Sequence, residues 1–184
     1  STDASKVSSL LSDKHARDRV SGCMYVAKFP SRRLMQHVEK LATSDENQQV
    51  RLYAMRALVL HDPETAQDAI KSLIGKSDDI NKITALMGIA YLRDENHIPL
   101  VIEAISDGAS KRASSVAGFA LLRLNPASGL DELKGLLEKS DVGIALSAIA
   151  ALGQLPFARS IELLVSTLNT NVKSVREAAS EQLM

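Results

Sequence analysis

Small apolar residues recur along this chain in one fixed arrangement. Ala148, Ala151 and Leu152 stand at i, i+3 and i+4, which places them on one face of a helix. Toward the N-terminus the same triplet returns as Ala117, Ala120 and Leu121, then Ala85, Gly88 and Ile89, then Ala54, Ala57 and Leu58, at steps of 31, 32 and 31 residues. One step of 31 forward gives Ala179, Gln182 and Leu183, and one step back from Ala54 gives Cys23, Val26 and Ala27. A second apolar register, Val38, Ile70, Ile102, Leu133 and Leu164, precedes the first by 15 to 16 residues each time. Two registers per period predict two helices per repeat. Small residues in the second helix let neighbouring axes approach, and the larger Leu and Ile fill the space between them. A repeat this short cannot bury its own apolar face, so adjacent repeats must cover it.

Turn chemistry punctuates the pattern at the same interval. Residues 1–12 are polar with one apolar cluster, Val7, Leu10 and Leu11, and read as a frayed first helix; Asp13 to Lys28 supplies the second. Pro30 and Ser31 end it, since proline lacks the donor a helix needs to continue and serine can cap the next one, expected over about Arg32 to Ala42. The pairs Ser44-Asp45, Ser77-Asp78, Ser106-Asp107 and Ser140-Asp141 each precede a second helix, where an acid can accept from free amides and favour the positive end of the dipole. Asp62-Pro63, Arg93 to Asn96, Asn125-Pro126 and Leu155-Pro156 separate the repeats, and Pro99 suits a first helical turn. The prediction is an all-α fold: a right-handed α-solenoid of about six two-helix repeats, forming one domain over 1–184. Residues 1–30 are its N-terminal capping repeat and 157–184 its C-terminal one.

Val50, Arg51, Ala54, Ala57 and Leu58 spell V-R-x-x-A-x-x-A-L, and Ala148 to Gly153 gives A-I-A-A-L-G. Both segments resemble the second helix of HEAT-like repeats, and the period of about 31 is similar to the short bacterial subclass typified by phycobilisome lyases. The resemblance covers roughly 15–184. It implies second helices lining a concave side, and an acid before the second helix bonded to the arginine early in it, making Asp45 and Arg51 a structural pair. It also implies two functions, since such repeats serve scaffolds and enzymes alike: an adaptor for a protein or peptide, or a bilin lyase or isomerase or other phycobilisome-associated component.

Charge adds little. Lys plus Arg and Asp plus Glu are 22 each, a formal net charge of zero, so nothing global favours nucleic acid or a membrane surface. Residues 1–40 hold a local excess of +4 (eight basic, four acidic), a solvated capping face or a site for an acidic partner. Aromatic content of 3% suits helices packed through Ala, Leu and Ile. One cysteine, Cys23, excludes an internal disulfide framework and makes a reducing cytoplasm the expected location. No apolar run is long enough to span a membrane.

No catalytic set emerges. Gly75-Lys76-Ser77 lacks the upstream glycine and strand of a phosphate-binding loop, and His15, His37, His61 and His97 are scattered, with no metal-ligand spacing. Cys23 falls in the register of the core alanines and reads as a small buried residue. No cofactor or metal is expected. The remaining candidate is the outward row of the second helices. With Ala54, Ala57 and Leu58 buried, the opposite side holds Leu52, Arg56 and Val59. Its equivalents are Ile83, Met87 and Ala90, then Ser115, Phe119 and Leu122, then Leu146, Ala150 and Gly153. So apolar a face, if exposed, predicts a groove for a protein or peptide. Its expected contacts are Tyr25, Leu52, Arg56, Ile83, Met87, Phe119, Leu122 and Leu146, with Met87 and Phe119 as central anchors.

Overall fold

The computed structural model describes the chain from residue 2, with side chains from residue 4. The described residues form twelve α-helices and one 3-10 turn, with no strand, in two compact units, Ser1–Leu92 and Arg93–Met184. This is the all-α solenoid architecture that the two apolar registers predict, three helix pairs to each unit.

In the first unit the pairs are α1 (Thr2–Leu11) with α2 (Ala16–Lys28), α3 (Arg32–Ser44) with α4 (Gln48–His61), and α5 (Pro63–Ile74) with α6 (Asp79–Leu92). Each second helix packs on its neighbour's, α2 on α4 and α4 on α6, while α1, α3 and α5 make the other layer. Between the layers Leu11, Val38, Met55, Leu58, Ile70 and Ile89 are fully buried. Close approach explains the small residue at the centre of α6: a Cβ on Gly88 would lie 2.8 Å from the Ile70 side chain.

The second unit repeats the plan. After a 3-10 turn (Glu95–His97) come α7 (Ile98–Ser106) with α8 (Lys111–Leu124), α9 (Pro126–Leu137) with α10 (Val142–Leu152), and α11 (Ala158–Thr167) with α12 (Lys173–Leu183). Helix α10 packs on both α8 and α12, and Leu121, Leu133, Ile149 and Leu152 fill the space beneath. The first-helix register shifts here by one residue from the expected position. Ile102 is half-buried, while Val101 and Ile105 are fully buried, so the period runs from Ile70 through Val101 to Leu133.

Several caps stand where the turn chemistry puts them. Asp62 and Asn125 cap α5 and α9, each followed by proline in the first turn, and the Asp141 carboxylate accepts from the Ile144 amide. Two of the four Ser-Asp pairs behave differently. Asn47 caps α4, and Ser110 caps α8 after a longer turn in which Gly108 takes a φ of 77°, a value that favours glycine.

The Asp45 carboxylate accepts from the Asn47 amide at 2.8 Å, before the helix, and is engaged further by an arginine. It receives two hydrogen bonds from Arg19, at 2.7 and 2.9 Å, while another Arg19 nitrogen donates to the Asp13 carbonyl at 2.9 Å. The expected pairing of Asp45 with Arg51 is therefore corrected: Arg51 donates to the Asp45 main-chain carbonyl and, at 2.6 Å, to the Asn81 side-chain oxygen. Asn81 in turn donates to Asp78. The result is a polar ladder across the starts of α2, α4 and α6. Hydrogen bonding to Asp45 raises the Arg19 pKa above its ordinary value, and the Asn81 amide lowers that of Asp78.

Candidate functional site

Large apolar side chains meet solvent on the second helices of the first unit, as Ile161 and Val165 do on α11 of the second. Along α2, residues at i, i+4, i+7 and i+11 from Arg17 face outward, and along α4 the same spacing begins at Gln49. Met24 on α2 is 53% exposed, and Tyr53 and Leu60 on α4 are 36% and 55% exposed. Together with Ala27, Lys28 and Arg56 they line a cleft of about 320 Å³ between the two helices. Beside it the rings of Tyr25 and Phe29 lie 5.0 Å apart, and the Lys28 ammonium sits 5.3 Å from the Phe29 ring centre.

Of the contacts expected from sequence, Arg56 lines this cleft and Tyr25, 38% exposed, stands beside it. Leu52 is half-buried, one position away from the exposed Tyr53. Met87 on α6 is also half-buried, but Ile83 is corrected: it is only 3% exposed, and Ala90 is fully buried. The reason lies in α6 itself. DINKITALMGIAYL has no continuous polar stripe, and a helix apolar nearly all round is buried nearly all round.

In the second unit Phe119 and Leu122 on α8 and Leu146 on α10 are half-buried. Leu146 borders a separate cleft of about 380 Å³, where Gly108, Ala109, Gly143 and Ala178 leave room that larger side chains would fill. The ion pair of Lys111 and Glu181, at 2.6 Å, joins α8 to α12 beside it. Ala150, expected on the outward row, is 3% exposed.

Met24, Tyr53, Leu60 and Lys28 are absent from the sequence-derived set. The signal was present: Tyr53, Arg56 and Leu60 stand at i, i+3 and i+7, as do Ser21, Met24 and Lys28. Taking Leu52 and Val59 instead of Tyr53 and Leu60 rotates the face by one residue, about 100°.

The remaining chemistry-bearing residues have structural places. Cys23 is fully buried in the core register, and burial pushes its thiol pKa up to about 12. The Nε2 of His61 is 2.8 Å from the Ala27 carbonyl, and His97 is buried at the start of α7 with its Nδ1 3.2 Å from the Asp94 carbonyl. Among the described residues no three His, Cys, Asp or Glu side chains are grouped to hold a metal ion. Nor, among the described residues, is any helix long and apolar enough to cross a membrane.

The sequence matches no family profile and no curated protein. Among solved structures it is similar to a chain in the complex of CpcE and CpcF of phycocyanin lyase from Nostoc sp. PCC7120. That likeness covers 96% of this chain and 74% of the other, at 16% identity and a TM-score of 0.53. An engineered protein matches at 17% identity over 98% of this chain and 95% of its own, with a TM-score of 0.39. A designed armadillo repeat protein matches at 14% over 97% of each, with a TM-score of 0.38. The phycocyanin lyase likeness establishes a shared helical-repeat fold.

Proposed function

We propose that this chain is a non-catalytic interaction module that holds a protein or peptide segment against its second helices. One observation carries the reading: Met24, Tyr53 and Leu60 expose large apolar surface around a single cleft instead of adding it to the core. Apolar patches with a polar rim mark interaction sites, and solenoid helices offer extended surfaces for them. Tyr25, Leu52, Arg56 and Met87 flank the proposed contact in the first unit, and Phe119, Leu122 and Leu146 form a second proposed contact within the other. The lone buried Cys23 suits a reducing compartment, and we place the protein in the cytoplasm.

Replacing Met24 and Leu60 together with Ser tests the reading. Both side chains are more than half exposed, so helicity and melting temperature are expected to stay near those of the parent, while capture of partners from a native lysate is lost. Apolar anchors at the centre of an interface contribute about 2 kcal/mol or more to binding. Unchanged capture by the folded variant overturns the reading.

A second reading, a component of bilin lyase or isomerase chemistry, is supported by the fold shared with the phycocyanin lyase chain. Incubation with a bilin and an apo-phycobiliprotein would then give a coloured adduct that depends on this chain. Absence of colour favours the interaction module.

A further inference from the structure

The two outward rows of the first unit carry charge of one sign only. On α2 the row is Arg17, Ser21, Met24 and Lys28; on α4 it is Gln49, Tyr53, Arg56 and Leu60; all eight are exposed. Three are cations and none is an acid. Some cations elsewhere do pair with carboxylates, among them Arg19 with Asp45, Lys111 with Glu181, and Arg159 with Asp131. Arg17, Lys28 and Arg56 are in no ion pair among the described residues, and the contact Lys28 does make is with the face of Phe29. A cleft with apolar walls and a purely cationic rim is the complement of an apolar stripe flanked by acids.

We propose that the α2–α4 cleft seats an amphipathic helix whose apolar face carries acidic residues on its flanks. The proposal rests on the interaction-module reading and specifies the chemistry of the partner. From Arg17 to Lys28 the row rises through eleven steps, about 16 Å of helix or three turns of a partner lying along it, with the cleft at its end from Met24 to Lys28. The cleft volume of about 320 Å³ accepts that partner's apolar side chains rather than its backbone. Partner residues at i, i+3, i+4 and i+7 would enter between Met24, Tyr53 and Leu60, and flanking carboxylates would meet the three cations. A phosphate backbone is the weaker match, because three cations on a chain of zero net charge give little counterion release.

The test uses the full chain and two synthetic helical peptides that share one leucine stripe, the first flanked by Glu and the second by Lys. Fluorescence anisotropy should show the Glu peptide binding at least about tenfold more tightly, from three exposed ion pairs of modest strength, and weakening as salt rises. The variant Arg17→Glu, Lys28→Glu, Arg56→Glu should reverse the preference while its circular dichroism stays that of the parent. Equal binding of the two peptides, binding of neither, or a preference untouched by charge reversal overturns the inference. So does failure to bind the Glu peptide alongside binding to oligothymidine, or to vesicles of equal phosphatidylserine and phosphatidylcholine. In any of those cases the interaction module still stands if the Met24 and Leu60 variant has lost partner capture. It falls, whatever the peptides do, if that variant captures partners as the parent does.

Discussion

At Gly118 the main chain of α8 runs so near α10 that a Cβ built there would lie 2.1 Å from the Ala151 carbonyl oxygen. No side-chain rotation relieves a clash with backbone, so Gly118→Ala must push the two helices apart. The expected cost is about 1 to 3 kcal/mol in chemical unfolding. A Cβ on Gly135, on the exposed side of α9, would meet nothing within 4 Å. There Gly135→Ala should stabilise by up to about 1 kcal/mol, the ordinary helix preference for alanine. Opposite signs for two identical substitutions would confirm that the small residues of the second helices serve axis approach. Cys23 tests burial differently. With its thiol pKa pushed from 9.0 to about 12, it stays protonated in the folded chain at pH 8, and iodoacetamide should label it only after denaturation. Above pH 9 the unfolded chain ionises this thiol before the folded one does, so stability from this group falls as pH rises from 9 to 12.

Whole helices show which parts of the fold can be read from sequence. The pairing, the helix boundaries near Pro30, Pro63 and Pro126, and the buried triplets are legible because proline and cap residues fix ends while small residues fix the crossing. The phase of the outward face is legible only where polar residues mark it. Helix α4 has Gln49 and Arg56 to show the exposed side, and Leu52 and Val59 lie one residue off the row they mark. In α6 the polar residues Asn81, Lys82 and Thr84 are themselves buried, and α10 has only Ser147, so Ile83, Ala90 and Ala150 fall on the outside from sequence although all are buried. Ala90→Leu is accordingly expected to destabilise about as much as Ala117→Leu, by about 1 to 3 kcal/mol in thermal unfolding. The ladder across α2, α4 and α6 was half legible. Asp45 and Arg51 do bond, but the carboxylate goes to Arg19, 26 residues earlier, a partner that no local spacing announces. Asp45→Asn should take from the Arg19 guanidinium its hydrogen-bonded carboxylate, leaving the exposed Glu46 at 3.8 Å as the nearest acid, and cost about 2 to 3 kcal/mol. The double variant Arg19→Met, Asp45→Asn should recover part of that loss, because what is expensive is the uncompensated charge.

For the whole chain, the repeat register does not pause at the division between the two units. Ala85, Gly88 and Ile89 on one side and Ala117, Ala120 and Leu121 on the other are separated by 32 residues, the same step found within each unit. No linker-like tract of glycine, serine or proline stands between them; Arg93 to Asn96 is a turn of the kind found between other repeats. We therefore propose that residues 1–184 fold as one domain in which each repeat is stabilised by its neighbours. Two reporters decide the matter: a fluorophore on the exposed face of α4 and another on that of α9, followed together through urea unfolding. One domain predicts coincident transitions that both move to lower urea when Gly118→Ala is introduced, although that substitution touches only α8 and α10. If the α9 reporter alone moves, the units unfold separately and the one-domain proposal fails.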